Sequence, residues 1–588
     1  MAPVRLAAAL TLAFASLTTL AAHAAEQNDN VCNNCFEQRW VYFGGDLSSP
    51  TPATDPTNLK LIELIGRAKR AGYNGIALNT SGHGSYASLL FGPNPDLTAN
   101  LAVILQKAKE AGIELIPVGG GPEIPALLNP DLLEALPVKD TPFIVQGNRA
   151  VPLAQSIVSD SGFEQNDGEW HLDGSGGVSY DTSLAHQGQR SVKFVQNQVE
   201  TARIERSFAN LKPHKAYRMS FWLRTEDYDA PLQVQLFRSD FTMPLYNNRS
   251  ARLGWGTSNG EWNEEGNQFA KTQGWTQYNL DFNTADETTV HLSFGHWGRS
   301  GVGNGAAWLD DLDIREIGLA HTVDRAGLLP VVVRSEDGSI TYVAGIDYLV
   351  AKEALVIKNR RLREGTRLRV SYYQSAQNFT ARWATPASAC NAEFFNIQRD
   401  YYDKINALFN TPSSYFLYYD EIRVLNWDPA CGGITAGKYL ANTTRKVQAD
   451  LLAKYPALAL YIWNDMFDPN MNALDSYWLA KGSLAGAVEG LHPNTVVVNW
   501  TDSTDDQVRL ASLKFFSDRK LRQMIAGYYD EPDLGDVERW LRNLDAAEKN
   551  GLSGVQGFMY TTWQGNDGYD KLEAVAETIK QKSGRWVQ

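Results

Sequence analysis

Arg39-Trp40-Val41-Tyr42-Phe43-Gly44-Gly45 is the stretch from which the architecture is read. Its centre is a continuous apolar and aromatic run without alternation, which predicts a strand buried on both faces. Such strands belong to parallel sheets covered by helices. Working outward, Leu59 to Ala71 has helical periodicity and stops at Gly72. Tyr73 to Asn79 predicts the next strand, Leu97 to Ala111 a second helix stopped by Gly112, and Glu114 to Val118 a third strand. Strands alternating with helices define an α/β class with parallel pairing.

The rhythm then changes. From about Pro152 to Glu316 helical periodicity is nearly absent, and short alternating strands are predicted at Ser191 to Phe194, Tyr217 to Leu223, Leu232 to Phe237, Tyr278 to Phe282 and Val290 to Phe294. Regular short strands with turn signals predict a β-sandwich. A second small β unit is expected from Val331 to Val333, Ile340 to Val343, Ala354 to Ile357 and Arg367 to Tyr373, with Asp337-Gly338 as a hairpin turn. The α/β pattern resumes near residue 379. Helices are predicted at Phe395 to Phe409, Lys438 to Lys454, Gln507 to Asp518 and Val537 to Asn550. Strands are predicted at Tyr415 to Tyr419, Leu458 to Trp463, Thr495 to Trp500, Gln523 to Tyr528 and Val555 to Tyr560. With Phe379 to Trp383 this gives nine candidates for eight places, and Phe379 to Trp383 is the one expected outside. The fold class is therefore α/β: a (β/α)₈ barrel in two parts, 26–150 and 377–588, interrupted by a sandwich at 151–316 and a small β module at 317–376.

The chain has 588 residues, beyond the ~250–300 at which one core stops growing. A formal charge of −13 without any clustered Lys and Arg excludes a phosphate-binding surface, so no nucleic-acid partner is expected. The start reads as a secretory signal: a basic Met1 to Arg5, an apolar Leu6 to Leu20, then Ala22-His23-Ala24 in the small-x-small pattern. Cleavage is expected after Ala24, giving a periplasmic or secreted protein with no membrane insertion. Export permits disulfides among Cys32, Cys35, Cys390 and Cys431. Cys390 and Cys431, each placed just after a predicted strand, are the favoured pair. Structural bridges are preferred to a redox or zinc reading of Cys32-x-x-Cys35, because no second such pair follows.

In (β/α)₈ barrels the chemistry lies at the C-terminal strand ends. Tyr415 to Tyr419 runs into Asp420-Glu421-Ile422-Arg423. Two acids after an apolar run are costly unless they face a cleft or are paired; the bland alternative is a salt bridge to Arg423. Alternation sends neighbours to opposite faces, so both acids reach one cleft only where the strand ends or bulges. Trp463 with Asp465, Trp500, Tyr529 with Asp530, and Tyr560 with Trp563 end the later strands, and His83 follows the second. Together they predict an aromatic-walled polar pocket suited to an oligosaccharide or polysaccharide. Glycoside hydrolysis needs a carboxylic acid for the leaving oxygen and a second group at the oxocarbenium centre. Glu421 is the expected acid. The second group is either a nucleophile, Asp465 or Asp530, or the substrate's own acetamido oxygen. A barrel that binds glycan without cleaving it is the third reading. No HExxH, GxSxG or Walker loop is present, and Gly119-Gly120-Gly121 lacks the Lys-Ser/Thr of a phosphate loop.

Asp420-Glu421 at a mid-barrel strand end resembles the Asp-Glu pair of family 20 glycoside hydrolases, the β-hexosaminidases. The resemblance implies that Asp420 orients an acetamido group and Glu421 is general acid/base, with no cofactor for catalysis. Trp463, Trp500 and Trp563 would be its tryptophan walls and Tyr529 its acetamide-binding tyrosine. The chain departs from that family at Tyr418-Tyr419, where glycines are usual, and at Trp463-Asn464-Asp465, where Trp-x-Glu is usual. Gly162-Phe163-Glu164, His186-Gln187-Gly188 and Trp308-Leu309-Asp310-Asp311 resemble jelly-roll carbohydrate-binding modules of the family 4, 9 and 22 type. That likeness implies a structural Ca²⁺ with Glu164 and Asp311 as oxygen ligands, and a sugar platform from Trp255, Trp262 and Trp297.

Overall fold

The computed structural model describes residues 35–586 except 81–84, 166–167, 175, 197–200, 229, 231, 239–243, 252–268, 298–304, 326, 352–353, 377–385 and 565–567. The expected signal segment, Cys32, His83, Trp255, Trp262 and the candidate strand Phe379 to Trp383 lie outside the described residues, as does the side chain of Trp297.

Eight parallel strands close a barrel. In chain order they are Gln38–Gly44, Gly75–Asn79, Glu114–Gly119, Ser414–Leu417, Ala459–Trp463, Val496–Asn499, Arg522–Tyr528 and Val555–Thr561. These are the eight expected strands left when Phe379 to Trp383 is set aside. Pairing is parallel throughout, from Trp40↔Gly75 in the first seam to Gln38↔Gly557 in the last. The barrel interior is filled by alternate residues, among them Trp40, Tyr42, Ile116, Phe416, Tyr461, Trp463, Val498 and Met559. Their neighbours along each strand, such as Val41, Tyr415, Leu417 and Tyr560, pack outward against the helices.

Local chemistry starts the helices where the sequence suggested. Asp55 caps helix Pro56–Arg70 through the N–H of Asn58, and Asn94 caps Pro95–Ala111 through that of Leu97, each with proline in the first turn. Outer helices follow at Ala392–Leu408, Ala436–Lys454, Asp506–Asp518, Gly535–Lys549 and Leu572–Ser583. Barrel strand five has no long helix after it. The connection 464–495 is built from two 3₁₀ turns and a short strand Leu479–Ala480 that pairs with Val424–Leu425. Among the described residues no helix is long and apolar enough to cross a membrane.

The insertion between barrel strands three and four holds two β units. One is a sandwich of two five-stranded antiparallel sheets between His171 and Glu316. The other is a seven-stranded sheet whose centre pairs Ala135–Gln146 with Arg367–Ser375. The expected boundary at residue 150 is thereby corrected. Residues 135–152 leave the barrel and join the 332–375 strands, so the sandwich is nested inside the small unit. Lys139-Asp140, beside two prolines, hides this strand from a periodicity reading.

Cys390 and Cys431 are bonded, with Cα atoms 5.2 Å apart. The pairing is as expected but the setting differs: Cys390 precedes the helix Ala392–Leu408, and Cys431 lies in the 3₁₀ turn Pro429–Cys431. The bridge ties the loop after the acid pair to an outer helix across 41 residues. Replacing both cysteines by serine is expected to cost about 4 kcal/mol, the loop-closure entropy of such a span. Denaturant unfolding of the oxidised parent and the variant measures it.

Candidate active site

Barrel strand four ends at Leu417, and Glu421 then adopts φ 46°. This left-handed conformation is uncommon for a residue other than glycine. Alternation carries Phe416 inward and Leu417 outward. Tyr418 and Asp420 continue on the inner side, and the turn at Glu421 breaks the alternation. This is the condition under which two adjacent acids can share one opening.

Glu421 keeps 32% of its side chain exposed. Its N–H donates to Asp465 Oδ2 at 2.8 Å, and Arg423 Nη2 donates to Glu421 Oε2 at 3.4 Å. Arg423 is buried, with its guanidinium carbon 4.4 Å from the centroid of Trp478. Asp465 is fully buried and accepts from two further donors, Asn472 Nδ2 at 2.8 Å and Trp500 Nε1 at 3.4 Å. Burial pushes the Asp465 carboxyl up to about 7, with the Glu421 charge adding and the hydrogen bonds opposing. Burial also holds Asp420 well above the carboxylate range, reinforced by Asp465, Glu421 and Glu123. Asp420 Oδ1 is buried and has no hydrogen-bond partner.

Aromatic rings form the rest of the opening. Trp563 is 53% exposed. Its ring lies 5.5 Å from Tyr42 and 6.4 Å from both Trp463 and Tyr529, and Tyr529 lies 6.3 Å from Trp500. Asp530 anchors Trp563, accepting its N–H at 2.7 Å and the Thr562 hydroxyl. Tyr528, Tyr529 and Asp530 carry φ values of 105°, 45° and 62°. Three consecutive non-glycine residues there store strain of a kind that concentrates at functional sites.

The structure therefore brings together Asp420, Glu421, Arg423, Asp465, Trp500, Tyr529, Asp530 and Trp563. Two expected pocket residues are placed elsewhere. Trp463 is 1% exposed and packs inside the barrel against Tyr42 and Phe416, forming floor rather than wall. Tyr560 stacks on Tyr528 and donates to Gly568 O in the layer between barrel and helices; Met559 takes the inward position.

Several residues went unnoticed in the sequence. Tyr42, on barrel strand one, is close enough to Asp420 for that charge to help burial raise its phenol. Tyr477, in the helix-less connection, is raised first by burial and then by Asp465 and Glu421. Glu123 is 2% exposed, and neither carboxyl oxygen has a partner. It follows Gly119-Gly120-Gly121, and a side chain at Gly121 would collide with its carboxylate at 2.1 Å. Burial pushes Glu123 up to about 8 from 4.5. The native state thus binds its proton where the unfolded chain releases it. The stability this gives is full below about pH 4.5 and is lost as pH rises through about 8. Glu123→Gln, which carries no charge at any pH, is expected to flatten the fall in stability between pH 5 and 8. The change is on the order of a few kcal/mol, and urea midpoints across that range measure it.

In the sandwich, Glu164 and Asp311 are drawn to one loop. Glu164 Oε1 accepts the N–H groups of Gln189 and Arg190 at 2.7 and 3.0 Å, and Asp311 Oδ2 is 2.5 Å from His186 Nδ1. The neighbouring Asp310 accepts the His186 N–H at 2.6 Å. Among the described residues no group of three or more His, Cys, Asp and Glu side chains is arranged to hold a metal ion. His186 stacks on Trp222 at 4.0 Å, with Trp275 edge-on at 5.6 Å.

The sandwich also reaches the acid-pair loop. Val424, Trp427 and Leu479 share its hydrophobic core, and Arg238 donates to the Trp478 carbonyl at 2.9 Å. Trp478 in turn covers Arg423, which touches Glu421.

No family model matches this chain, and no curated protein does. Solved structures do resemble part of it. The CBM22-1 xylan-binding domain of Paenibacillus barcinonensis Xyn10C is 16% identical, with 28% of this chain and 95% of that domain covered and a TM-score of 0.20. The C-terminal family 22 carbohydrate-binding module of Clostridium thermocellum Xyn10B is 12% identical, with 26% and 90% covered and a TM-score of 0.19. The enzymatically active domain of tailspike protein 4 from bacteriophage CBA120 is 13% identical, with 28% and 21% covered and a TM-score of 0.20.

Proposed function

We propose that the protein is an exported glycoside hydrolase with Glu421 as general acid/base. The observation that carries this reading is the setting of Glu421. It stands part-exposed at the C-terminal end of a closed barrel, its backbone held by Asp465 and its carboxylate by Arg423, next to Asp420, whose Oδ1 is buried without a partner. Glu421 gives its proton to the leaving glycosidic oxygen as the C–O bond breaks and then takes one from the attacking water. Asp420 orients the group beside the anomeric carbon, an acetamido oxygen in the substrate-assisted form of the reaction. Trp500, Tyr529 and Trp563 supply ring faces against the sugar.

A protein nucleophile fits less well. Asp465 is sealed under three donors, and the oxygens of Asp530 are engaged by Thr562 and Trp563. Release of chromophore from a panel of chromogenic glycosides at several pH values tests the hydrolase reading. Glycan binding with no release on any member would replace it with the second reading, a non-catalytic polysaccharide-binding or matrix protein. The sandwich packed against the site loop favours that alternative. A structural Ca²⁺ at Glu164 and Asp311 is a separate proposal, with backbone carbonyls completing the shell. EDTA is expected to lower Tm by several degrees, restored by added Ca²⁺; an unmoved Tm removes it.

A further inference from the structure

We propose that the barrel mouth recognises a glycan carrying a free, protonated amine, so that its substrate class is a deacetylated amino sugar rather than an acetylated or neutral one; this builds on the hydrolase reading for Glu421 as the acid and stands against its substrate-assisted form, because an ammonium group offers no oxygen to attack the anomeric carbon. Glu123, Asp420, Glu421 and Asp465 lie close enough for the other three to raise Asp420 by their charge. Glu421 has Arg423, and Asp465 has its N–H donors. Asp420 Oδ1 and both oxygens of Glu123 are buried with no partner. As carboxylates, groups buried this way cost several kcal/mol unless neutralised; in the free protein a proton does this, and an ammonium group placed against Asp420 takes the proton's place.

The other side of the opening offers ring faces, with Trp563 half exposed and 5.5 Å from Tyr42. Carboxylate together with aromatic faces is the chemistry that holds an organic ammonium group. A hydroxyl or an acetamide N–H satisfies one oxygen but brings no charge. A metal ion is the poorer occupant, because among the described residues no three acidic, His or Cys groups are arranged to hold one. The adjacency of Asp420 and Glu421 fits as well. In a 2-amino sugar the ammonium sits on the carbon next to the anomeric centre, so the acid that holds the amine neighbours the acid that protonates the leaving oxygen.

The test uses the full chain carrying Glu421→Gln, so that bound sugar is not consumed. Glucosamine and galactosamine, β-1,4-linked glucosamine pentamers, their N-acetylated counterparts and the glucose pentamer are titrated by calorimetry at low and high NaCl. The amine forms are expected to bind at least about tenfold more tightly than the acetylated ones, with the margin shrinking in salt. Adding Asp420→Asn should abolish the margin, and Trp563→Ala, at an exposed position, should weaken it. Asp337→Asn, on an exposed turn of the small β unit, should leave it intact. Equal or tighter binding of the acetylated series, no binding by either series, or an equal loss from Asp337→Asn overturns the proposal. Wild-type turnover separates it from the reading it builds on. Cleavage confined to acetylated sugars sinks the amine and keeps the hydrolase. Amine-selective binding without cleavage keeps the amine and sinks the hydrolase.

Discussion

Glu421→Gln is expected to lower turnover by about 10²–10⁴-fold while leaving the thermal midpoint and circular dichroism unchanged. Gln matches the shape and can still accept from Arg423, but it has no proton to exchange. The side chain is part-exposed, its bond to Arg423 is long at 3.4 Å, and its backbone N–H, not its carboxylate, makes the bond to Asp465, so glutamine is expected to keep the fold. Full activity in the variant would remove Glu421 from the chemistry. Loss of activity together with loss of fold would make it a structural residue.

The second large effect is expected at Asp465. Alanine there strands the Glu421 N–H, the Asn472 amide and the Trp500 indole N–H in a buried space. Each stranded donor costs about 1–3 kcal/mol, so destabilisation of about 3 kcal/mol or more is expected, with activity lost in parallel. Asp465→Asn retains one acceptor oxygen and should recover part of the stability. If Asp465 only braces the Glu421 backbone, the asparagine variant keeps measurable kcat and the same product stereochemistry. If Asp465 were the nucleophile, that variant would be dead at the same partly recovered stability. Urea melts and initial rates on one released glycoside separate the two.

The barrel was legible because its strands are buried on both faces. Runs such as Arg39 to Gly45 and Leu458 to Trp463 are apolar without alternation, and Asp and Glu mark where one of them reaches the opening. Glu123 was not legible. It follows three glycines and a proline, a context that reads as exposed loop. Its burial comes from a helix more than two hundred residues later, whose Tyr402 and Gln398 donate to Gly120 and Gly121. Ala135–Gln146 was illegible on two counts: Lys139-Asp140 and the flanking prolines break its periodicity, and its partner Arg367–Ser375 is more than two hundred residues away. Tyr560 shows a different failure. It lies at a strand end, but its parity along that strand turns it outward while Met559 points in, and parity decides which side of the sheet a residue serves. The Cys390–Cys431 pair came out right although Cys431 lies in a 3₁₀ turn rather than directly after a strand; the strand expected before Cys390 lies outside the described residues.

The nesting of both β units between barrel strands three and four sets the order in which this molecule can assemble. The seam they must join is two residue pairs wide, Phe416 to Val118 and Leu417 to Gly119, and its halves are roughly 300 residues apart along the chain. Held open as a free tether, that span would make closure entropically slow. Once the insert is compact, its two exits stand side by side and the ring can snap shut. An insert that folds early is therefore expected to speed closure of this seam, while the four-pair seam between the first and last strands closes independently of it. A destabilising change deep in the sandwich would then be felt as a barrel that closes late, far from the residue altered.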